Sequence, residues 1–191
     1  TTELFPDVSP EHTFFEYIQD LAENKIISGF GDGTFRPDEY VTRAQMTKFV
    51  ANGFGFISLD DSCKLFPDIR EKHTFYSYAT TLKCKGIVSG YPDGKFGPDD
   101  PLTRGQAMKF VVVGSRVAKG NEDFLPLLQN NVFPDVPQTH TFYENIHAAY
   151  SHSIVNGYPN GEFGPDDQIT RGQMAKMISN GRAKINEDLG L

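Results

Sequence analysis

The sequence predicts a mainly α fold in which three helix–loop–helix units share one pseudo-threefold bundle. Three observations predict it: the chain aligns with itself three times without a gap, helix-starting signatures recur in register, and apolar residues return at helical spacing. LFPDVSPEHTFFEYI (4–18) lies over LFPDIREKHTFYSYA (65–79) and VFPDVPQTHTFYENI (132–146). The same register brings IISGFGDGTFRPDEYVTRAQ (26–45) onto IVSGYPDGKFGPDDPLTRGQ (87–106) and IVNGYPNGEFGPDDQITRGQ (154–173). The units therefore occupy 1–53, 65–114 and 132–181, with linkers at 54–64 and 115–131 and a C-terminal tail at 182–191.

Each unit opens on a first helix. Thr13 with Glu16 reads as a capping box, Thr141 with Glu144 repeats it, and Thr74 with Ser77 keeps half of it. Ile18, Leu21 and Ala22 supply the apolar stripe, and the helix ends before Gly29, Gly90 and Gly157. The middle is turn chemistry: Pro92-Asp93-Gly94 and Pro159-Asn160-Gly161 place proline, Asx and glycine as a type I turn wants them. Phe35, Phe96 and Phe163 follow, one aromatic per unit to pin an ordered loop to the core.

The second helix opens on TRAQMTKF (42–49), TRGQAMKF (103–110) and TRGQMAKM (170–177). Thr42/Gln45, Thr103/Gln106 and Thr170/Gln173 are capping boxes. Met46, Phe49 and Val50, with Ala107, Phe110 and Val111 and then Met174, Met177 and Ile178, face inward. A helix of about twelve residues with one apolar face is marginal alone, so the three pack on one another. The motif's arginine, at the first helical position and expected to be exposed, and its lysine have no part in that scheme.

The formal charge of −7 argues against nucleic acid as a partner, because binding through phosphates needs a basic stripe. An anion could still be held by a local Arg/Lys cluster, since screening acts over roughly 8 Å. No run reaches the roughly 18 apolar residues of a membrane span, which argues against membrane insertion, and TTELFPDV has no basic-then-apolar leader. Cys63 and Cys84 make no CxxC or Cys/His spacing; they are either a disulfide between linker and helix, fitting an extracytoplasmic home, or two thiols.

Sharper chemistries find little support. GDGTF and PDGKFGPDD suggest calcium, but with Gly94 at loop position six, Ser89 and Tyr91 fall where an EF-hand needs carboxylates or Asn. His12, His73 and His140 could meet on an axis around a metal; their place before each first helix favours a local packing or hydrogen-bonding role. No nucleophile with a base and no carboxylate pair stands out, so the chain reads as a non-enzyme without a cofactor.

FPDV, the GFGDGTFRP-type loop and TRxQ, three times in register, resemble the S-layer homology domain of bacterial surface proteins. The resemblance covers the chain apart from the linkers and the last ten residues. It implies a three-pronged spindle at the bacterial cell surface that binds secondary cell-wall polysaccharide non-covalently, often through pyruvylated N-acetylmannosamine. By resemblance, Arg43, Arg104 and Arg171 face grooves between repeats. A guanidinium beside the free N–H groups of a helix N-terminus suits a ketal carboxylate, and Lys48, Lys109 and Lys176 could supply a second cation.

Sugars also need flat apolar faces and directional acceptors. Phe30, Tyr91 and Tyr158, beside Gly29, Gly90 and Gly157, either lie against a ring or pack the loop. Asp7, Asp68 and Asp135 either take hydroxyls or serve a turn. The sequence departs from the family pattern where Gln45, Gln106 and Gln173 replace an acidic residue, and where Thr13, Thr74 and Thr141, each followed by phenylalanine, replace a tryptophan. Repeat one is the odd copy, with Arg36 where the others have Gly97 and Gly164. The alternative function is a protein–protein assembly module, with other surface-layer subunits as partners and degenerate grooves.

Overall fold

The computed structural model describes residues 3–120 and 131–190, so the middle of the second expected linker lies outside the described residues. Six α-helices are present among them: α1 (Phe15–Glu23), α2 (Arg43–Gly53), α3 (Tyr76–Cys84), α4 (Arg104–Lys119), α5 (Tyr143–Ser151) and α6 (Arg171–Leu189). The rest is turns and three isolated β-bridges.

The two kinds of helix start differently. At α2, α4 and α6 the N-cap threonine is extended, its hydroxyl accepts from the N–H three residues on, and the glutamine there accepts from the threonine N–H, completing the expected box. The box expected at Thr13 and Thr141 is not formed. Phe14, Phe75 and Phe142 hold the N-cap position, with φ near −106, −103 and −106°, ψ near 9, 11 and 15°, and no side-chain cap. A side-chain cap needs extended backbone, which these residues lack. Instead Nδ1 of His12, His73 and His140 accepts from the phenylalanine N–H two residues on, at 3.2, 3.2 and 3.1 Å.

The packing crosses repeat boundaries. α2, α4 and α6 pack pairwise around the pseudo-threefold axis, while α3 lies on α2, α5 on α4 and α1 on α6. Among the described residues no first helix packs on the second helix of its own repeat; each leans on the helix contributed by the copy before it. Backbone bonds close the ring: Val41 N–H donates to Ile169 C=O, Ile169 to Leu102 and Leu102 to Val41, each at 3.0 Å. All three side chains are fully buried.

Each loop is pinned as expected by a fully buried phenylalanine, with Phe35, Phe96 and Phe163 lying 5.3, 4.9 and 5.4 Å from Phe5, Phe66 and Phe133 between ring centroids. Burying such a side chain contributes roughly 2–3 kcal/mol.

Symmetry is broken at the far end of the bundle. α2 stops at Gly53, and Phe54 folds in against Gly114 and Gly181, where added Cβ atoms would meet its ring at 2.9 and 3.1 Å. α4 and α6 run on, α4 to Lys119 into the expected linker and α6 to Leu189 through the expected tail. Asp188 ties the two extensions together, paired with Lys119 and, at 2.9 Å, with Lys184. Cys63 and Cys84 are joined in a disulfide that fastens the first linker to the end of α3. Closing a loop of that size contributes roughly 3 kcal/mol.

Candidate functional site: grooves between repeats

The three arginines are not exposed. Arg43, Arg104 and Arg171 retain 4%, 4% and 6% of their accessible surface, because each side chain crosses into the loop of the next repeat. Arg43 Nε donates to Phe96 C=O at 2.8 Å, Arg104 Nε to Phe163 C=O at 3.0 Å, and Arg171 Nε to Phe35 C=O at 2.7 Å, closing the cycle. Arg43 and Arg171 reach a second carbonyl, Ser89 at 3.2 Å and Ser28 at 3.4 Å. Each guanidinium also lies over an aromatic pair: Tyr91 and Phe96, Tyr158 and Phe163, or Phe30 and Phe35, at 4.4–4.7 Å from the ring centroids. Burial pushes all three groups down, Arg171 to about 10.

The helix N-termini are likewise committed. The first-turn N–H groups of Arg43 and Ala44 donate to Asp100 and Pro98 carbonyls, those of Arg104 and Gly105 to Asp167 and Pro165, and those of Arg171 and Gly172 to Glu39 and Pro37. The third N–H goes to the cap hydroxyl and the fourth to the cap carbonyl. The expectation of free N–H groups for an anion is therefore corrected. The neighbouring loop and the helix's own N-cap threonine, two donors each, already satisfy the four that a helix start leaves open, and the arginine head is the donor that faces the groove.

The aspartates hold those loops. Asp7 accepts from Phe35 N–H at 2.9 Å and Arg36 N–H at 2.6 Å. Asp68 accepts from Phe96 and Gly97, both at 2.8 Å, and Asp135 from Phe163 at 2.9 Å and Gly164 at 2.7 Å. Burial alone would raise the Asp68 carboxyl; the N–H groups of Phe96, Gly97 and Asp68 itself, with the charge of Lys95, together outweigh it and hold it below the usual carboxylate range. Gly29, Gly90 and Gly157 line the loop where a Cβ would come within 2.5, 2.5 and 2.7 Å of a backbone carbonyl oxygen, so the groove floor admits no side chain there.

Two clefts lie where three repeats meet. A cleft of about 240 Å³ is lined by Ser28, Gly29, Phe30 and Lys48 of repeat one, Phe75 of repeat two and Arg171 of repeat three. Its counterpart of about 90 Å³ takes Gly90, Tyr91, Gln106 and Lys109 from repeat two, Phe142 from repeat three and Arg43 from repeat one. Lys48 Nζ donates to Ser28 Oγ at 2.8 Å, and burial together with Arg171 pushes it down. At the loop of repeat three, Arg104 of repeat two lies over Tyr158, and Lys176 Nζ is 5.6 Å from the centroid of the Tyr17 ring in α1.

Sequence reasoning missed Phe75 and Phe142 as groove walls. The recurrence of phenylalanine just before each first helix was the available signal, but its destination is in the preceding repeat. Among the described residues no cluster of three or more His, Cys, Asp or Glu forms a metal site, and no helix is long and apolar enough to cross a membrane. The grooves offer a cation pair, a flat aromatic and glycine-lined backbone, which suits a polar ring bearing negative charge.

Known proteins share this pattern. The S-layer homology domain matches residues 4–47, 65–108 and 132–175. The chain is 35% identical over 176 residues to an endoglucanase of Bacillus sp. (strain KSM-635), covering 92% of this chain and 18% of that protein. It is 27% identical to a cellulosome-anchoring protein of Acetivibrio thermocellus (74% and 31% covered), and 34% identical to a surface layer protein of Brevibacillus choshinensis (51% and 8%). It thus spans less than a third of the length of each of these relatives. With all three copies matched and their helices closed into one ring, the chain belongs to the S-layer homology domain family.

Proposed function

We propose that the chain is a non-catalytic module that anchors a larger protein to the bacterial cell wall by binding secondary cell-wall polysaccharide in the grooves between repeats. The observation that carries this reading is the cleft between Arg171, Lys48, Phe30 and Phe75: two cations without a carboxylate in the lining, beside flat apolar faces. That combination fits an acidic sugar, and a pyruvylated amino sugar has the required parts, a ketal carboxylate for the cations and a ring face for the aromatics.

Family membership supports an anchoring role, as do the names of the surface layer and cellulosome-anchoring relatives. The Cys63–Cys84 disulfide suits a site outside the cytoplasm, where such bonds persist. The likeness to an endoglucanase covers only 18% of that enzyme.

Co-sedimentation with purified sacculi tests the proposal. The chain should pellet with intact sacculi and stay in solution with sacculi stripped of their secondary polymer. Equal retention on stripped sacculi, or concentration-dependent self-association without any wall binding, would favour the assembly module instead.

A further inference from the structure

The two clefts are alike in plan but not in width, and the difference traces to the second residue of each central helix. In repeats two and three that residue is glycine, and a phenylalanine from the following repeat is pressed onto it. A Cβ at Gly105 would lie 2.7 Å from the Phe142 ring, and one at Gly172 would lie 2.3 Å from Phe14. Repeat one has Ala44 there, whose methyl group excludes the same seat for Phe75. Phe75 instead forms the wall of a cleft of about 240 Å³, against about 90 Å³ where Phe142 closes on Gly105.

A second, independent difference concerns charge. In repeats two and three the turn after the buried phenylalanine is Gly97 or Gly164 at φ +69°, with no room for a side chain: a Cβ would meet the Asp100 or Asp167 carboxylate at 2.2 or 2.3 Å. Tyr158 donates to that Asp167 carboxylate at 3.0 Å, which sets an anion at the rim of its groove. Repeat one places Arg36 there at φ +61°, a conformation that L residues rarely adopt. Its guanidinium lies 4.0 Å from the Phe30 centroid and draws off Asp32 at 2.8 Å and Glu39 at 3.5 Å. Phe30 has no hydroxyl to hold a carboxylate at the groove.

We infer that the groove of repeat one is the high-affinity site for a single anionic sugar ring, and that Ala44 keeps it open by propping Phe75 away from α2. The inference rests on the glycan-binding reading above and narrows it to one groove. A cleft of about 240 Å³ lies below the roughly 300–1,000 Å³ of sites for drug-sized ligands, a scale for one ring rather than a chain.

The test is a titration of the whole chain with the methyl glycoside of pyruvylated N-acetylmannosamine, followed by calorimetry and by amide NMR shifts. Expected are a stoichiometry of one, shifts centred on Ser28, Gly29, Phe30 and Phe75, at least a tenfold loss of affinity in Lys48→Met, and at least a fivefold loss in Ala44→Gly. Unchanged amide spectra away from the groove would show that both variants remain folded. A stoichiometry of two or three, equal shifts at Gly90 and Tyr91, or full affinity in Ala44→Gly would overturn the inference while leaving glycan binding in place. Absence of any binding by the monosaccharide while sacculi retain the chain would overturn the one-ring site but not the anchoring. Loss of both would remove the reading on which it depends.

Discussion

Arg104 shows how folding claims a side chain that the proposed function also calls on. Its Nε–H serves the Phe163 carbonyl and its planar face covers Tyr158 and Phe163. Removing it leaves a buried carbonyl short of a charged donor and takes away packing, so Arg104→Ala should lower stability by about 2–3 kcal/mol in urea unfolding. Lysine, with no fork and no planar face, should not restore it. A wall-binding defect in such a variant must therefore be read against its folded fraction. Asp68 gives a pH counterpart. Its folded-state pKa lies below the ordinary value near 4, so its stabilisation is complete above about pH 4 and is lost as pH falls through the lower, folded value. Asp68→Asn should flatten that acid limb in melts measured between about pH 2 and 5. The threonine and glutamine of TRxQ were legible in the sequence because their partners are three residues apart. The arginine's partner lies 53 residues on for Arg43 and 136 back for Arg171, in a loop whose three copies look alike.

At the scale of the element, two helix types that share a threonine-led signature start by different physics. Thr103 sits at an extended N-cap and completes its box, whereas Thr74 precedes an N-cap that is not extended, and His73 serves the N–H of Phe75 instead. Thr103→Ala should therefore cost about 1 kcal/mol in thermal or urea unfolding, and Thr74→Ala should leave the midpoint unchanged. Sequence spacing alone could not separate them, because a capping box depends on backbone dihedrals as much as on residue types. The inward stripe of Met46, Phe49 and Val50 was legible for the opposite reason, since helical periodicity survives whatever neighbour the face meets.

For the whole molecule, the unit of sequence is not the unit of packing. Three helix–loop–helix copies and a shared bundle follow from periodicity and caps, but each first helix rests on the second helix of the copy before it, and α6 closes the circle on α1. Because the copies are equivalent in pattern, nothing local distinguishes packing within a repeat from packing across a boundary. Removing repeat three would strip α1 of α6 and break two of the three axial bonds among Val41, Leu102 and Ile169. A fragment spanning 3–120 should therefore lack a cooperative unfolding transition by circular dichroism, where a beads-on-a-string array would keep one. The same closure makes both clefts composites of three repeats. The central claim, that these grooves recognise an acidic wall glycan, is tested most directly by measuring the affinity of the intact chain for secondary cell-wall polymer before and after its pyruvyl ketals are removed by mild acid. At least a tenfold loss on removal is the predicted result, and undiminished affinity for the neutral polymer would contradict it.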